Sequence, residues 1–153
     1  MINVDVLSED KNWSKKIKKK NIFVHSICKA FPRKYQYINK KIFFTLFLSN
    51  NKKIKKLNNQ FRNKNSATDI LSFPFQKNFK LKNNFYLGDI IISYNFMNKP
   101  KGQSIKFFKD KFIKIFIHGF LHLVGFDHIK LKDYKKMAQE EQKIYLSVIK
   151  KIN

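Results

Sequence analysis

At 153 residues the chain has the length of one ordinary domain, enough to bury a core without disulfides or a metal staple. Its single cysteine, Cys28, excludes an internal disulfide framework, and the N-terminus MINVDVLSED lacks the basic start and apolar run of a secretory leader. A net charge of +23, from 33 basic residues against 10 acidic ones, argues for a polyanionic partner, RNA or DNA, over acidic small molecules.

The expected setting is therefore a reducing cytoplasm. The run free of Lys, Arg, Asp and Glu around the histidines, Ile115 to Phe126, is too short for the roughly 20 residues that span a bilayer, and no basic helix has a clean apolar face for a membrane surface. All but two of the basic residues are lysine, accompanied by many asparagines and 17 phenylalanines. An AT-rich coding bias produces the same composition, so many individual lysines can be inert while the summed charge still attracts nucleic acid.

Ile2 to Leu7 alternates apolar and polar residues and predicts a strand. From Asp10 to Ala30, Ile17, Phe23, Val24 and Ile27 recur at helical spacing, and Pro32 stops that helix. Lys41 to Leu48 is dense in β-branched and aromatic residues and predicts a buried strand, followed by Ser49 and Asn50 as caps of a helix to Arg62. Asp69 to Phe75 predicts a short strand that Pro74 confines to an edge or an end. Asn83 and Asn84 mark a turn before a strand over Tyr86 to Ser93. Pro100 and Gly102 punctuate a loop, Ser104 caps a long apolar helix from Ile105 to Val124, and Gly125 ends it in a left-handed conformation. A last amphipathic helix covers Leu131 to Ile149, before a frayed tail. Strands interleaved with helices give an α+β or α/β layer architecture in one domain over residues 1–153, without repeat or linker.

Three of the four histidines fall within IHGFLHLVGFDH. His118 and His122 are four apart and share a helix face, and the break at Gly125 lets the chain bring His128 to the same point. Three neutral imidazoles are the protein ligands of a catalytic zinc that keeps its fourth position open. A structural zinc or buried core histidines are the plainer alternatives, but structural sites use four ligands and commonly cysteine. The spacing repeats that of metzincin proteases except that Gly119 stands where those enzymes carry the catalytic glutamate, and no Glu lies between Glu9 and Glu140. Asp127 is the nearest carboxylate in sequence, either as proton acceptor or as the hydrogen-bond partner that orients a histidine. His25 stands apart on the first helix and is set aside.

HGFLHLVGFDH, together with LNNQFRNKNSATDILSFPF from Leu57, LGDIIIS from Leu87 and the helix containing Met137, resembles the YbeY-type endoribonucleases, the rRNA maturation factors. The resemblance covers roughly residues 40 to 146. It implies an α+β fold, a small mixed β-sheet packed against helices with the long apolar helix carrying the histidines. It also implies one Zn2+ held by His118, His122 and His128. The implied activity is cleavage of single-stranded RNA in small-subunit ribosomal RNA maturation and ribosome quality control in the bacterial cytoplasm. Ribosomal particles or assembly factors would be partners, with no membrane and no small-molecule cofactor. The family commonly has a further histidine at the position of Lys114, a departure that spares the ligands and alters the wall of the site.

The resemblance also places a functional arginine at Arg62, whose planar guanidinium grips a phosphate bidentately where lysine offers a point charge. The alternative is an ordinary cation at a helix end. Asp69, Ser72 and Asp89 lie in the family-like strands without a clear role. Two competing functions remain at this level: an RNA-binding ribosome-assembly factor with a structural zinc, and a metalloprotease, which Gly119 and the positive charge disfavour.

Overall fold

Residues 1–76 and 84–152 are described by the computed structural model. Four strands build one mixed sheet: β1 (Ile2–Ser8), β2 (Lys41–Ser49), β3 (Ile70–Pro74) and β4 (Asn84–Ser93), in the order β1-β2-β4-β3. The first, second and fourth run parallel, and β3 pairs antiparallel with β4. β3 is thus an edge strand, and Pro74 is its last residue, where a missing N–H costs no ladder bond. On β2 the alternate residues Ile42, Phe44, Leu46 and Leu48 are buried, the period of two that sends one set of side chains to each face. The architecture is the expected α+β mixed sheet with helices. Asn84 opens β4 instead of forming a turn, and Asn83 lies outside the described residues.

One expected helix is two. α1 (Trp13–Lys16) and α2 (Lys20–Lys29) are separated at Ile17, whose backbone is extended. Two forces oppose continuity there. Lys15, Lys16, Lys18, Lys19 and Lys20 would stack like charges at helical spacing. Trp13 and Ile17 are both buried, with the Trp13 indole N–H donating to the Ser49 carbonyl at 2.9 Å, so the chain follows the core rather than the helical path. A 3₁₀ turn at Arg33–Tyr35 and a short α4 (Tyr94–Met97) add to the expected elements. In α3 (Asn51–Arg62) the cap is Asn50, whose side chain accepts from Lys53 N, while Ser49 is the buried last residue of β2.

The centre of the fold is α5 (Ile105–Leu123), capped by Ser104 through the N–H of Phe107. Phe108, Phe112, Phe116 and Phe120 recur every four residues and are all fully buried against Trp13, Phe31 and Phe44. The C-terminus closes with paired bonds, Gly125 N to His122 O and Phe126 N to Leu121 O, with Gly125 at φ 97°. That is a Schellman closure, and the left-handed residue it needs is why glycine stands there. α6 (Leu131–Ile152) then packs back on α5, burying Met137, Glu140, Ile144 and Val148 and continuing beyond Ile149. A smaller cluster of Ile54, Leu71 and Ile91 joins α3 to the sheet. Among the described residues no helix is long and apolar enough to cross a membrane.

Candidate metal centre

The left-handed turn at Gly125 brings His128 back to the end of α5. Nitrogens of His118, His122 and His128 all lie within 4.8 Å of one another, with ring centroids 4.7 to 5.3 Å apart. His118 and His122 are half-buried and His128 is exposed, so the group is open to solvent on one side.

The outer nitrogens are already taken. His118 Nδ1 lies 2.6 Å from Glu141 Oε1, and His122 Nδ1 lies 3.0 Å from the Phe126 carbonyl oxygen. Both partners only accept, so both Nδ1 atoms carry the proton, and in neutral rings both Nε2 atoms carry lone pairs. Those two Nε2 atoms face each other at 3.1 Å. Two lone pairs at that separation repel unless a cation lies between them, so the arrangement fits a metal with imidazole ligands. Burial first, and then the neighbouring His118 and His128, hold the pKa of His122 below its ordinary value, favouring the neutral form that ligates.

Glu141 was missed at the level of sequence. The available signal was chemical: a ligating histidine needs an acceptor for its second nitrogen, and Glu140 and Glu141 are the only glutamates after Glu9. Asp127 does not orient a histidine ring. Its Oδ1 accepts from the backbone N–H of His128 at 2.7 Å and so shapes the turn.

Gly119 has a steric reason. A Cβ there would meet Ile70 Cδ1 at 2.6 Å, Ser72 Oγ at 3.1 Å and Ile90 Cγ2 at 3.2 Å, because α5 crosses the sheet directly at this residue. The face that carries glutamate in a metzincin therefore points into packed sheet here, with no room for a base.

Arg62 ends α3 and reaches β3, where its guanidinium donates to the Ser72 carbonyl at 3.2 Å and lies 5.7 Å from the Phe73 ring centre. Ser72 Oγ in turn donates to the Gly119 carbonyl at 3.3 Å, one residue from His118. Arg62 is thus joined to the helix of the histidines through one residue of β3. Asp69 accepts from Ile70 N and Thr68 Oγ1, a local loop role. Asp89 accepts from the Tyr86 hydroxyl on the other side of the sheet from α5. His25 Nδ1 lies 2.8 Å from the Asn21 carbonyl oxygen within α2, its one side-chain hydrogen bond among the described residues. Lys114, one turn before His118, pairs with Asp110 at 3.0 Å and lies 4.9 Å from the Tyr145 ring centre.

A family model described as Endoribonuclease YbeY matches residues 6–149. The chain is 62% identical over 152 residues to the endoribonuclease YbeY of Pelagibacter ubique, covering 99% of each. The chain belongs to the YbeY endoribonuclease family. A more distant YbeY relative, from Idiomarina loihiensis, is 34% identical over 125 residues, covering 82% of this chain and 76% of the relative. The solution structure of a Thermotoga maritima protein has a TM-score of 0.57 at 24% identity, covering 95% of this chain and 89% of that one, a likeness of fold. The YbeY assignment and the histidine group rest on separate observations, one on alignment and the other on geometry.

Proposed function

We propose that this chain is a zinc-dependent endoribonuclease specific for single-stranded RNA, acting in the cytoplasm on precursors of small-subunit ribosomal RNA and in ribosome quality control. The observation that carries the reading is the pair of facing Nε2 atoms, whose rings are held from behind by Glu141 and Phe126. An all-imidazole donor set with one open side favours zinc over magnesium or calcium, which prefer oxygen ligands. Zinc, when bound, supplies Lewis acidity toward a phosphoryl oxygen.

The chain supplies the remaining chemistry. His118, His122 and His128 hold the ion, and Glu141 fixes the tautomer of His118. Arg62, steadied by Ser72 and Phe73, presents its other N–H groups to the phosphate whose charge grows in the transition state. The lysine surface gathers RNA, and ribosomal particles or assembly factors are the natural partners of such a surface.

The test is single-turnover cleavage of a single-stranded RNA at matched zinc occupancy. Arg62→Lys keeps the charge and removes the fork, and the rate should fall on the order of a hundredfold. A change within about threefold, roughly 0.65 kcal/mol, would return Arg62 to the role of a helix-end cation. Undiminished cleavage after chelation, with zinc gone, would refute zinc dependence.

A further inference from the structure

We propose that Tyr134 is a base-stacking residue of the substrate site, holding a nucleobase of single-stranded RNA beside the histidine centre. This rests on the endoribonuclease reading above and names where that substrate is gripped.

The argument begins with the register of α6 on α5. Glu141 meets His118, and Tyr145 donates to Asp110 Oδ1 at 2.5 Å while Lys114 stands over its ring. The two helices therefore run antiparallel, with residues 141 and 145 on the stripe that faces α5. Tyr134 is seven residues, two turns, before Glu141, so it lies on the same stripe about 10 Å nearer the start of α6. The matching step along α5 passes its last residue, Leu123, into the turn that returns with His128. The stripe that α5 covers at Glu141 overhangs at Tyr134.

The exposures agree with this. Tyr145 is half-buried, whereas Tyr134 is 57% exposed, and neither its hydroxyl nor its ring has a partner among the described residues. Ile129 and Leu131, just after His128, are 84% and 70% exposed. A large aromatic ring held on a helix and left bare at the mouth of a centre is a surface awaiting a flat partner.

Charge selects that partner. The segment IKLKDYKK alternates exposed apolar residues with Lys130, Lys132, Lys135 and Lys136, against one carboxylate, Asp133. The Lys136 ammonium lies 6.0 Å from the Phe126 ring centre, and the Phe126 carbonyl holds His122. Cations interleaved with an aromatic ring match a nucleic-acid strand, whose phosphates and bases alternate, and a base stack needs no particular sequence.

The experiment titrates zinc-loaded wild type, Tyr134→Ala and Tyr134→Phe against a fluorescent single-stranded RNA 12-mer in single-turnover cleavage. A set of 12-mers with one abasic residue placed in turn around the cut completes it. Tyr134→Ala should raise the half-saturating enzyme concentration about 5- to 150-fold, the range one base stack is worth. Tyr134→Phe should restore it. At one abasic position wild type should lose the same factor and Tyr134→Ala nothing more, the non-additivity of two partners in contact. Tyr134→Ala within twofold of wild type, or equal losses in both proteins at every abasic position, would overturn the proposal while leaving the nuclease reading intact. That result would make the patch a protein-binding surface instead. A wild type that neither binds nor cuts the 12-mer would overturn both.

Discussion

α5 carries two stripes that depend on different things. Phe108, Phe112, Phe116 and Phe120 form one, repeated every four residues, wholly buried and packed on apolar neighbours. His118 and His122 form the other, offset from Phe116 and Phe120 by two residues and so about 200° round the helix. The first stripe needs only a hydrophobic environment. The second needs specific partners from outside the helix: Glu141 on α6, the Phe126 carbonyl in the turn, and His128 beyond it. Core and centre can therefore fail separately, although one helix holds both.

The largest effect comes from the histidine stripe. Replacing His118, His122 or His128 by Ala should abolish stoichiometric zinc in elemental analysis and reduce RNA cleavage to the chelated background, while cooperative unfolding persists. Retained metal in all three variants would break the separation at its root.

The converse is Phe112→Ala, which empties a fully buried site stacked on Phe116 at 6.0 Å and packed edge-on against Trp13. The expected cost is about 3–5 kcal/mol in urea unfolding followed by circular dichroism. Zinc per folded chain should stay at one. Loss of zinc from a protein that remains folded would show the two stripes to be coupled.

Glu141→Gln should be milder, since a neutral amide oxygen still accepts from His118 but no longer gives a charge-assisted hydrogen bond. Zinc affinity should drop about 10- to 100-fold in competition with a chelating dye. A change below about threefold would assign the orientation of His118 to packing alone.

The two stripes differ equally in how far the sequence reveals them. The long apolar run from Ile105, the Ser104 cap and the three clustered histidines are local patterns, and each survives into the structure. Glu141 is not local, because the α6 residue that meets His118 depends on where the helix restarts after the Gly125 turn. Asp127 was nearest in sequence and is spent on the backbone of His128. Gly119 read as a missing base, while its cause is the sheet lying against α5 at that residue. The break at Ile17 has the same origin: burial of Trp13 and Ile17 overrides a helical periodicity that continues through it. Local patterns announce which residues matter, and tertiary contacts decide what holds them.

The smallest effect sharpens the comparison on α6, where Glu140 and Glu141 are adjacent and point to different neighbours. Glu140 is buried and accepts from the Tyr35 hydroxyl, with Lys34 and Lys143 ammoniums at 3.1 and 3.2 Å. Burial alone would raise its pKa, but the Tyr35 hydrogen bond and the two lysines outweigh it and hold the carboxyl at about 2, against 4.5 ordinarily. A folded pKa below the unfolded one means that the unfolded chain takes up the proton first as pH falls. The stabilisation is therefore fully present above about pH 4.5 and disappears progressively toward pH 2. Glu140→Gln should cost about 1–2 kcal/mol at pH 7, less than the full shift implies because both lysines are largely exposed and screened. The difference between wild type and variant should vanish near pH 2, and since every other ionisable group is common to both proteins, that difference isolates Glu140. Zinc affinity of Glu140→Gln at neutral pH should stay within about threefold of wild type, because this carboxylate ties α6 to the Tyr35 turn and not to His118. A loss as large as that of Glu141→Gln would mean that the anchor of α6 also sets the metal centre, and that adjacent residues of one helix cannot be altered independently.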